Sequence, residues 1–496
     1  MTSLTRRTFL KGAAALPLAT WLSSVSAECA SPIRHDIDSP MGQVMLKIYA
    51  DAVRIMQTRP ADDPASWMWQ WYTHFVDGST SKSAELNRIF GAGESSAKSL
   101  AHDTWNTCQS HAGQNSSHFL PWHRMFVLFF EGMVREVTGR PDFTLPYWNY
   151  TSPDPAKRGV LPAAFRMPND PVYGVLYRPN RTARANNGTP IHEAQPGDVM
   201  DISQQMALPN YTTSGAVQGF CRAVDSSIHG RIHVLVGTSS NMGSVPFAGR
   251  DPLFWVHHSN IDRIWASWNR NGGVNPTEPS WASNEFVFAD SKGNRVQSAL
   301  KDYFDTEKLG YSYDDYIPAP MSQASLYMGA LSASKNASGP KRVGQAKSTE
   351  MGRRPVQVDL RAITPDPSAT VLGLDPARPQ ARTYLILKDL HTWKQPEALY
   401  HVYLTPTPGM GGVKRGAYAG DINFFDAEFH DHGTGAKMDE ALGANFYSFD
   451  VTSLLQDIAR SGNRNAREVL YVTFVPGGEP TPGAKPLVAT IELVIQ

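Results

Sequence analysis

Two clusters of histidines, far apart in the chain, constrain its fold more than any other feature. The first runs from His74 through Cys108-Gln109-Ser110-His111 to Phe119-Leu120-Pro121-Trp122-His123-Arg124. The second opens with His229-Gly230-Arg231-Ile232-His233. It continues with Asp251-Pro252-Leu253-Phe254-Trp255-Val256-His257-His258-Ser259-Asn260-Ile261-Asp262-Arg263. Several of these histidines sit in aromatic, apolar surroundings. A buried imidazole needs a partner, and a metal is an efficient one. Neutral imidazole favours copper and zinc over the hard cations, and two triads of imidazoles suit a pair of copper ions. The fold must therefore bring the two clusters together, and oxygen chemistry is the leading reading.

At 496 residues the chain is too long for one ordinary core, so two domains are expected. Its formal net charge of +0 argues against nucleic acid or an acidic surface as a partner held by bulk charge. No apolar run past the N-terminus is long enough to span a bilayer. The first residues read as an address. Thr5-Arg6-Arg7-Thr8-Phe9-Leu10-Lys11 looks like a twin-arginine signal, the stretch from Gly12 to Leu22 is apolar, and Val25-Ser26-Ala27 fits cleavage before Glu28. Residues 1–27 are thus expected to be removed on export, leaving a periplasmic or secreted protein. Cys29, Cys108 and Cys221 permit at most one disulfide and leave one thiol over.

Helical spacing of apolar residues marks Pro40 to Gln57, through Met41, Val44, Met45, Ile48, Ala52, Ile55 and Met56. The same signal recurs from Phe126 to Val137, and a helix begun near His257 continues from Arg263 to Trp268. Between them, Arg140 to Asn210 is rich in Pro, Asn and Gly and reads as long loops. Composition changes after Tyr316. The polar stretch 321–354 reads as a linker. Beyond it, short β-like runs at Val356–Leu360, Thr383–Leu387, Tyr400–Leu404, Leu470–Phe474 and Leu487–Ile495 predict a β-sandwich over residues 355–496. His229 and His233, at i and i+4, face one side of a helix, for which Asp225 and Ser226 are candidate N-caps. Pro121 suits the start of another helix. His102 reads as solvated surface, as do His430 and His432. His35, His192, His391 and His401 lack a ligand-like pattern.

These motifs together resemble the tyrosinase and polyphenol oxidase family. Phe119-Leu120-Pro121-Trp122-His123-Arg124 and the run Asp251 to Trp265 are similar to the family's two copper-site signatures, and Leu309-Gly310-Tyr311-Ser312-Tyr313 is similar to its closing tyrosine motif. The resemblance implies a mainly α catalytic domain over residues 28–320, an antiparallel four-helix bundle around two copper ions with dioxygen as co-substrate. It implies one copper on His74, His111 and His123 and the other on His229, His233 and His258, with His257 left to packing. The family's second ligand to the first copper falls here at Gln114, flanked by His111 and His118. His111 is preferred because Cys108 precedes it closely, and in some relatives a cysteine is joined to this ligand by a thioether; His118 is the rival. Cys29 and Cys221 would then remain to pair. Asp262 is placed to fix a ligand imidazole.

The implied reaction is the oxidation of o-diphenols to o-quinones and, in some members, ortho-hydroxylation of monophenols. Hydroxylating relatives pair a glutamate with an asparagine to take the phenol proton. Asp225 and Gly230 stand at those positions, which weakens the case for hydroxylation and favours, as an alternative, an o-aminophenol or catechol oxidase without it. An oxygen carrier of the haemocyanin kind is a remoter alternative. Val245 occupies the place of the substrate gate. The C-terminal runs Tyr400–Leu404, Gly420–Phe425 and Val472–Pro476 resemble the β-rich tail of plant polyphenol oxidases. That likeness implies a domain that keeps the enzyme latent until an activating protease removes it, with Phe424 or Phe425 as a plug. Small phenols are the implied partners.

Overall fold

The computed structural model describes residues 32–74, 80–108, 117–320, 339–363, 371–375, 378–409, 413, 417–429 and 446–496. The expected signal segment, His111, His430 and His432 lie outside them. Residues 32–496 form one compact unit.

The N-terminal part is helical. Helix α1 (Pro40–Thr58) starts where Ser39 Oγ accepts a hydrogen bond from the Gly42 amide, with Pro40 in its first turn. Its buried face is Met45, Leu46, Ile48, Tyr49, Ala52, Val53 and Met56. Met41 and Val44, both expected in the core, are each 46% exposed. A stripe centred on Tyr49 fits the helical period better than the apolar count alone, because the aromatic ring counts as core. Helices α2 (Trp67–Tyr72), α3 (Lys82–Phe90) and α4 (Ser96–Asn106) follow. Helix α5 (Phe119–Thr138) is almost wholly buried along its first half. It stops at Gly139, whose left-handed φ of 64° closes the C-terminus.

Residues 220–236 form one continuous rod, α6. It comprises an α-helical segment (Phe220–Val224), a π-turn (Asp225–His229) and a second α-helical segment (Gly230–Val236). The N-cap expected at Asp225 and Ser226 is therefore absent: both lie inside the rod, and Ser226 Oγ donates to the Arg222 carbonyl. Helix α7 (Leu253–Arg270) is buried from Leu253 to Trp268. Helix α5 packs against both α7 and α1, and the Phe130 and Trp255 rings stack at 3.6 Å between α5 and α7. The expected loop region 140–210 holds only short helical turns. No helix among the described residues is long and apolar enough to cross a membrane.

Strand β1 (Ile33–Arg34) pairs in parallel with β4 (Ser312–Tyr313), closing the helical part end to start. A hairpin of β2 (Glu285–Ala289) and β3 (Arg295–Ala299) lies between. Asp262 was expected to fix a ligand imidazole, but it belongs to this closure. Its carboxylate accepts from Arg124, from Arg34 at 3.0 Å, and from the Tyr311 and Tyr313 hydroxyls at 2.7 and 2.6 Å. Burial works to raise the pKa of Asp262, but Arg124 and Arg34 outweigh it and hold the carboxyl below its usual range.

The C-terminal part is a nine-stranded antiparallel sheet. Its strands are β5 (Lys341–Ala346), β6 (Thr349–Glu350), β7 (Val356–Ala362), β8 (Thr383–His391), β9 (Tyr400–Thr405), β10 (Tyr418–Ile422), β11 (Phe446–Asp450), β12 (Val469–Pro476) and β13 (Leu487–Ile495). The order is β10-β9-β12-β7-β5-β13-β8-β11, with β6 beside β13. This corrects two expectations. Residues 341–346 and 349–350 are strand rather than linker, and β5 is what joins the halves: it bonds to β7 on one side and β13 on the other. Without it the sheet would fall into the two separate layers of a sandwich. Instead one sheet curls over a single core built from Leu385, Leu387, Val402, Leu404, Val472, Leu493 and their neighbours. Its ends meet where the Tyr447 hydroxyl on β11 donates to the Asn423 carbonyl just past β10. The opposite face of β8, Tyr384 and Ile386, packs on Ala216 and Val217 of the helical part, so this strand is buried on both sides.

Candidate metal centre

Five of the expected ligands converge. His74 follows α2, His123 lies in the first turns of α5, His229 and His233 lie on α6, and His258 on α7. All five are at most 3% exposed, so each imidazole must find its partners inside the protein. The His123 and His258 rings stack at 4.1 Å. His74 lies 5.9 Å from His123, His229 lies 5.2 Å from His258 and 4.6 Å from His233, and His123 lies 6.2 Å from His229. The two sequence clusters thus meet on facing sides of one site.

The ring orientations carry chemical information. His123 Nδ1 lies 3.0 Å from the Phe119 carbonyl and His233 Nδ1 lies 2.7 Å from the Met242 carbonyl. A carbonyl only accepts, so each Nδ1 carries the proton, and each Nε2 keeps a lone pair. Asp225 Oδ1 lies 3.0 Å from His229 Nδ1, a charge contact beside that ring. The carboxylate expected to take a proton from substrate thus lies against the His229 ring, where metal-binding histidines ordinarily have an outer support. It is carried by the π-turn, a helix distortion common at functional sites. Both ring nitrogens of His258 are buried without a hydrogen-bond partner, and burial beside the other imidazoles pushes its basicity well down. Neutral imidazoles with lone pairs directed into a dry site are what copper ligation needs, so the donor set fits the implied metal.

His257 was left to packing. Its ring stacks 5.5 Å from His229 and lies 4.9 Å from His233, and both of its nitrogens are buried without a hydrogen-bond partner. Among the described residues, ligand atoms of His229, His233, His257 and His258 all lie within 4.8 Å of one another. Only His258 of the adjacent pair also meets the first cluster. The rival ligand His118 is elsewhere: it stacks on Trp281 at 5.9 Å, meets Phe286 edge-on at 5.6 Å, and lies 3.2 Å from Asn284 Nδ2. Burial lowers its pKa to about 4. Cys108 Sγ lies 3.2 Å from the His74 carbonyl, which brings it to the first cluster. Cys221 is a free thiol in the interior, donating to the Ser117 carbonyl and pushed up to about 12 by burial; Cys29, its expected partner, lies outside the described residues.

The sheet roofs the site. Of the two expected plug residues, Phe425 lies parallel on His233 at 4.0 Å and edge-on to His229 at 5.6 Å. Phe424 points into the sheet's own core, against Tyr400. Gly230 is pressed by Asn423: a Cβ there would come within 2.5 Å of Asn423 Oδ1. This residue carried no sequence signal, since only tertiary contact brings it to Gly230. Val245 is 1% exposed and part of the helical core. His401, which lacks a ligand-like pattern, is buried and lies 2.9 Å from Gln195 of the helical part.

Residues 65–174 and 164–271 match the common central domain of tyrosinase, and residues 275–325 match the polyphenol oxidase middle domain. The chain belongs to the tyrosinase and polyphenol oxidase family of copper oxidoreductases. Among relatives, it is 32% identical over 297 residues to a tyrosinase of Hahella sp. (strain CCB-MM4), a match covering 55% of this chain and 61% of that protein. It is 26% identical over 313 residues to a chloroplastic polyphenol oxidase of Malus domestica, covering 57% and 48%. The matches thus span about half to three-fifths of those relatives' lengths. In fold, it resembles latent apple tyrosinase with a TM-score of 0.61 at 21% identity, over 95% of this chain and 98% of that one. A latent aurone synthase gives 0.59 at 20% identity, over 95% and 90%.

Proposed function

We propose that the chain oxidises o-diphenols to o-quinones with dioxygen at a paired copper centre. The observation that carries this is the meeting of His74 and His123 with His229, His233 and His258 in one buried site. One copper would be held by His74, His123 and His111, the other by His229, His233 and His258, with α2, α5, α6 and α7 as the four-helix frame. Bound copper would supply the electron transfer between phenol and dioxygen. The protein's share is geometry. The Phe119 and Met242 carbonyls fix two tautomers, the Asp225 carboxylate lies against His229, and the aromatic walls exclude water. With Asp225 against His229 and no side chain at Gly230, these two positions are poorly suited to take a phenol proton, which favours catechols over monophenols. The proximity of Cys108 to His74 supports a thioether to His111.

In this reading the sheet holds the enzyme latent. Phe425 fills the space over His233 where a substrate ring would stack, and no other described aromatic of the sheet makes that contact. Copper-loaded chain carrying Phe425→Ala is expected to consume oxygen with 4-methylcatechol several-fold faster than the parent, and His258→Ala added to it is expected to abolish the uptake. Equal rates for all three would refute the site.

A further inference from the structure

Three side chains from one short stretch engage α6 at regular intervals, which is more than blocking a pocket requires. The Asp421 carboxylate accepts from Arg231 Nε at 2.7 Å, both residues being at most 8% exposed. Two residues on, Asn423 fills the notch over Gly230 and its Nδ2 donates to the Ser226 carbonyl at 2.8 Å. Two further on, Phe425 lies on His233. The Phe425 amide donates to Asn423 Oδ1 at 3.2 Å, so the asparagine both fits the notch and shapes the turn that presents the ring. A plug needs only the ring. A buried cation, a side-chain-free notch and an aromatic site at fixed spacing form pockets for alternate side chains, the way a peptide is read. The ring itself has no hydroxyl and cannot be oxidised as a phenol.

We infer that α6 carries a polypeptide-binding groove whose occupant is a catechol side chain displayed at a turn, with asparagine two residues before it and an acid four residues before it. The resident segment 421–425 is a non-oxidisable copy of that occupant. This assignment rests on the phenol-oxidising reading above. In the reaction two such catechols each lose two hydrogens and become o-quinones, while one dioxygen takes all four and leaves as two waters.

The test uses the full chain with Asp421→Lys, which sets a cation against Arg231, weakens the resident segment so that an added peptide competes for the groove, and leaves α6 unchanged. Fluorescence anisotropy without copper measures a labelled Asp-Ile-Asn-Phe-Tyr peptide against its Lys-Ile-Asn-Phe-Tyr counterpart. Losing the partner of a buried charge is expected to weaken binding at least about tenfold, and the parent chain is expected to bind neither. A second, conservative variant, Phe425→Tyr, is loaded with cupric ion under nitrogen. The inference expects a visible phenolate-to-copper absorption that the parent lacks. Equal binding of the two peptides, or no new absorption, overturns the inference. If copper-loaded Asp421→Lys chain oxidises 4-methylcatechol in that event, the oxidase reading stands without it. If that chain leaves 4-methylcatechol untouched while still discriminating the peptides, the oxidase reading falls and the occupant is not a substrate.

Discussion

At the scale of single residues, the adjacent pair His257-His258 shows how neighbouring imidazoles take different tasks. Both are fully buried with unpartnered nitrogens, yet only His258 stacks on His123. His258→Ala is therefore expected to halve the copper content measured by atomic absorption and to abolish catechol oxidation, with His257→Ala keeping its copper; metal loss in His257→Ala alone would reverse the assignment. His118 gives a separate prediction. Its pKa falls from 6.5 to about 4 through burial, so between those values the unfolded chain binds a proton that the folded chain refuses. Stability from this residue is full above 6.5 and is lost as pH falls toward 4. Replacing it by Phe, which can keep the contacts with Trp281 and Phe286, should flatten the fall in melting temperature across that window. An unchanged slope would mean that His118 does not titrate there. Most of the histidines that meet in the site were legible in the sequence, because spacing on a helix and aromatic context are local signals. Asn423 was not, because its partner Gly230 is distant in the chain and offers no side chain to match.

At the scale of elements, α5, α7 and the closing strand β4 are tied by charge. Arg34 and Arg124 share Asp262 in a fully buried cluster with Tyr311 and Tyr313. Removing the one carboxylate leaves buried cations short of a counter-charge, which typically costs about 3–5 kcal/mol. Asp262→Asn should lower the unfolding free energy in urea by that order; a change below about 1 kcal/mol would mean that Glu131, which also pairs with Arg34, carries the cluster. The helices were legible because amphipathic periodicity is strong in α1, α5 and α7. Strand β5 was not. Among its residues only Gly344 is buried, so the run has no apolar alternation, and its strand character comes from hydrogen bonds to β7 and β13 rather than from side-chain pattern. Missing that strand turned one curled sheet into an expected sandwich.

At the scale of the whole molecule, the sheet and the helical part share surfaces that a loosely tethered domain would lack. Phe425 and Leu399 belong to the helical core, His401 reaches Gln195, and Asp421 pairs with Arg231. The proposed latency would rest on many contacts, so cutting the chain between 321 and 338 alone is expected to release little unless the sheet then separates. Limited proteolysis there, followed by denaturant low enough to part the pieces, is expected to raise catechol oxidation several-fold above the uncut chain under the same conditions. Unchanged turnover in the separated helical part would remove the latent reading. The change from helix to strand along the chain was legible from composition, whereas the depth of contact between the helices and the sheet was not, since it depends on buried polar pairs that each presents as ordinary surface residues.

The measurement that bears most directly on the central claim is anomalous diffraction at the copper edge from crystals of the copper-loaded full chain. The account predicts two peaks, one bounded by His74 and His123 and the other by His229, His233 and His258, with Phe425 above the second. A single peak centred among His229, His233, His257 and His258, with none beside His74, would contradict a paired centre and with it the oxidase proposed from it.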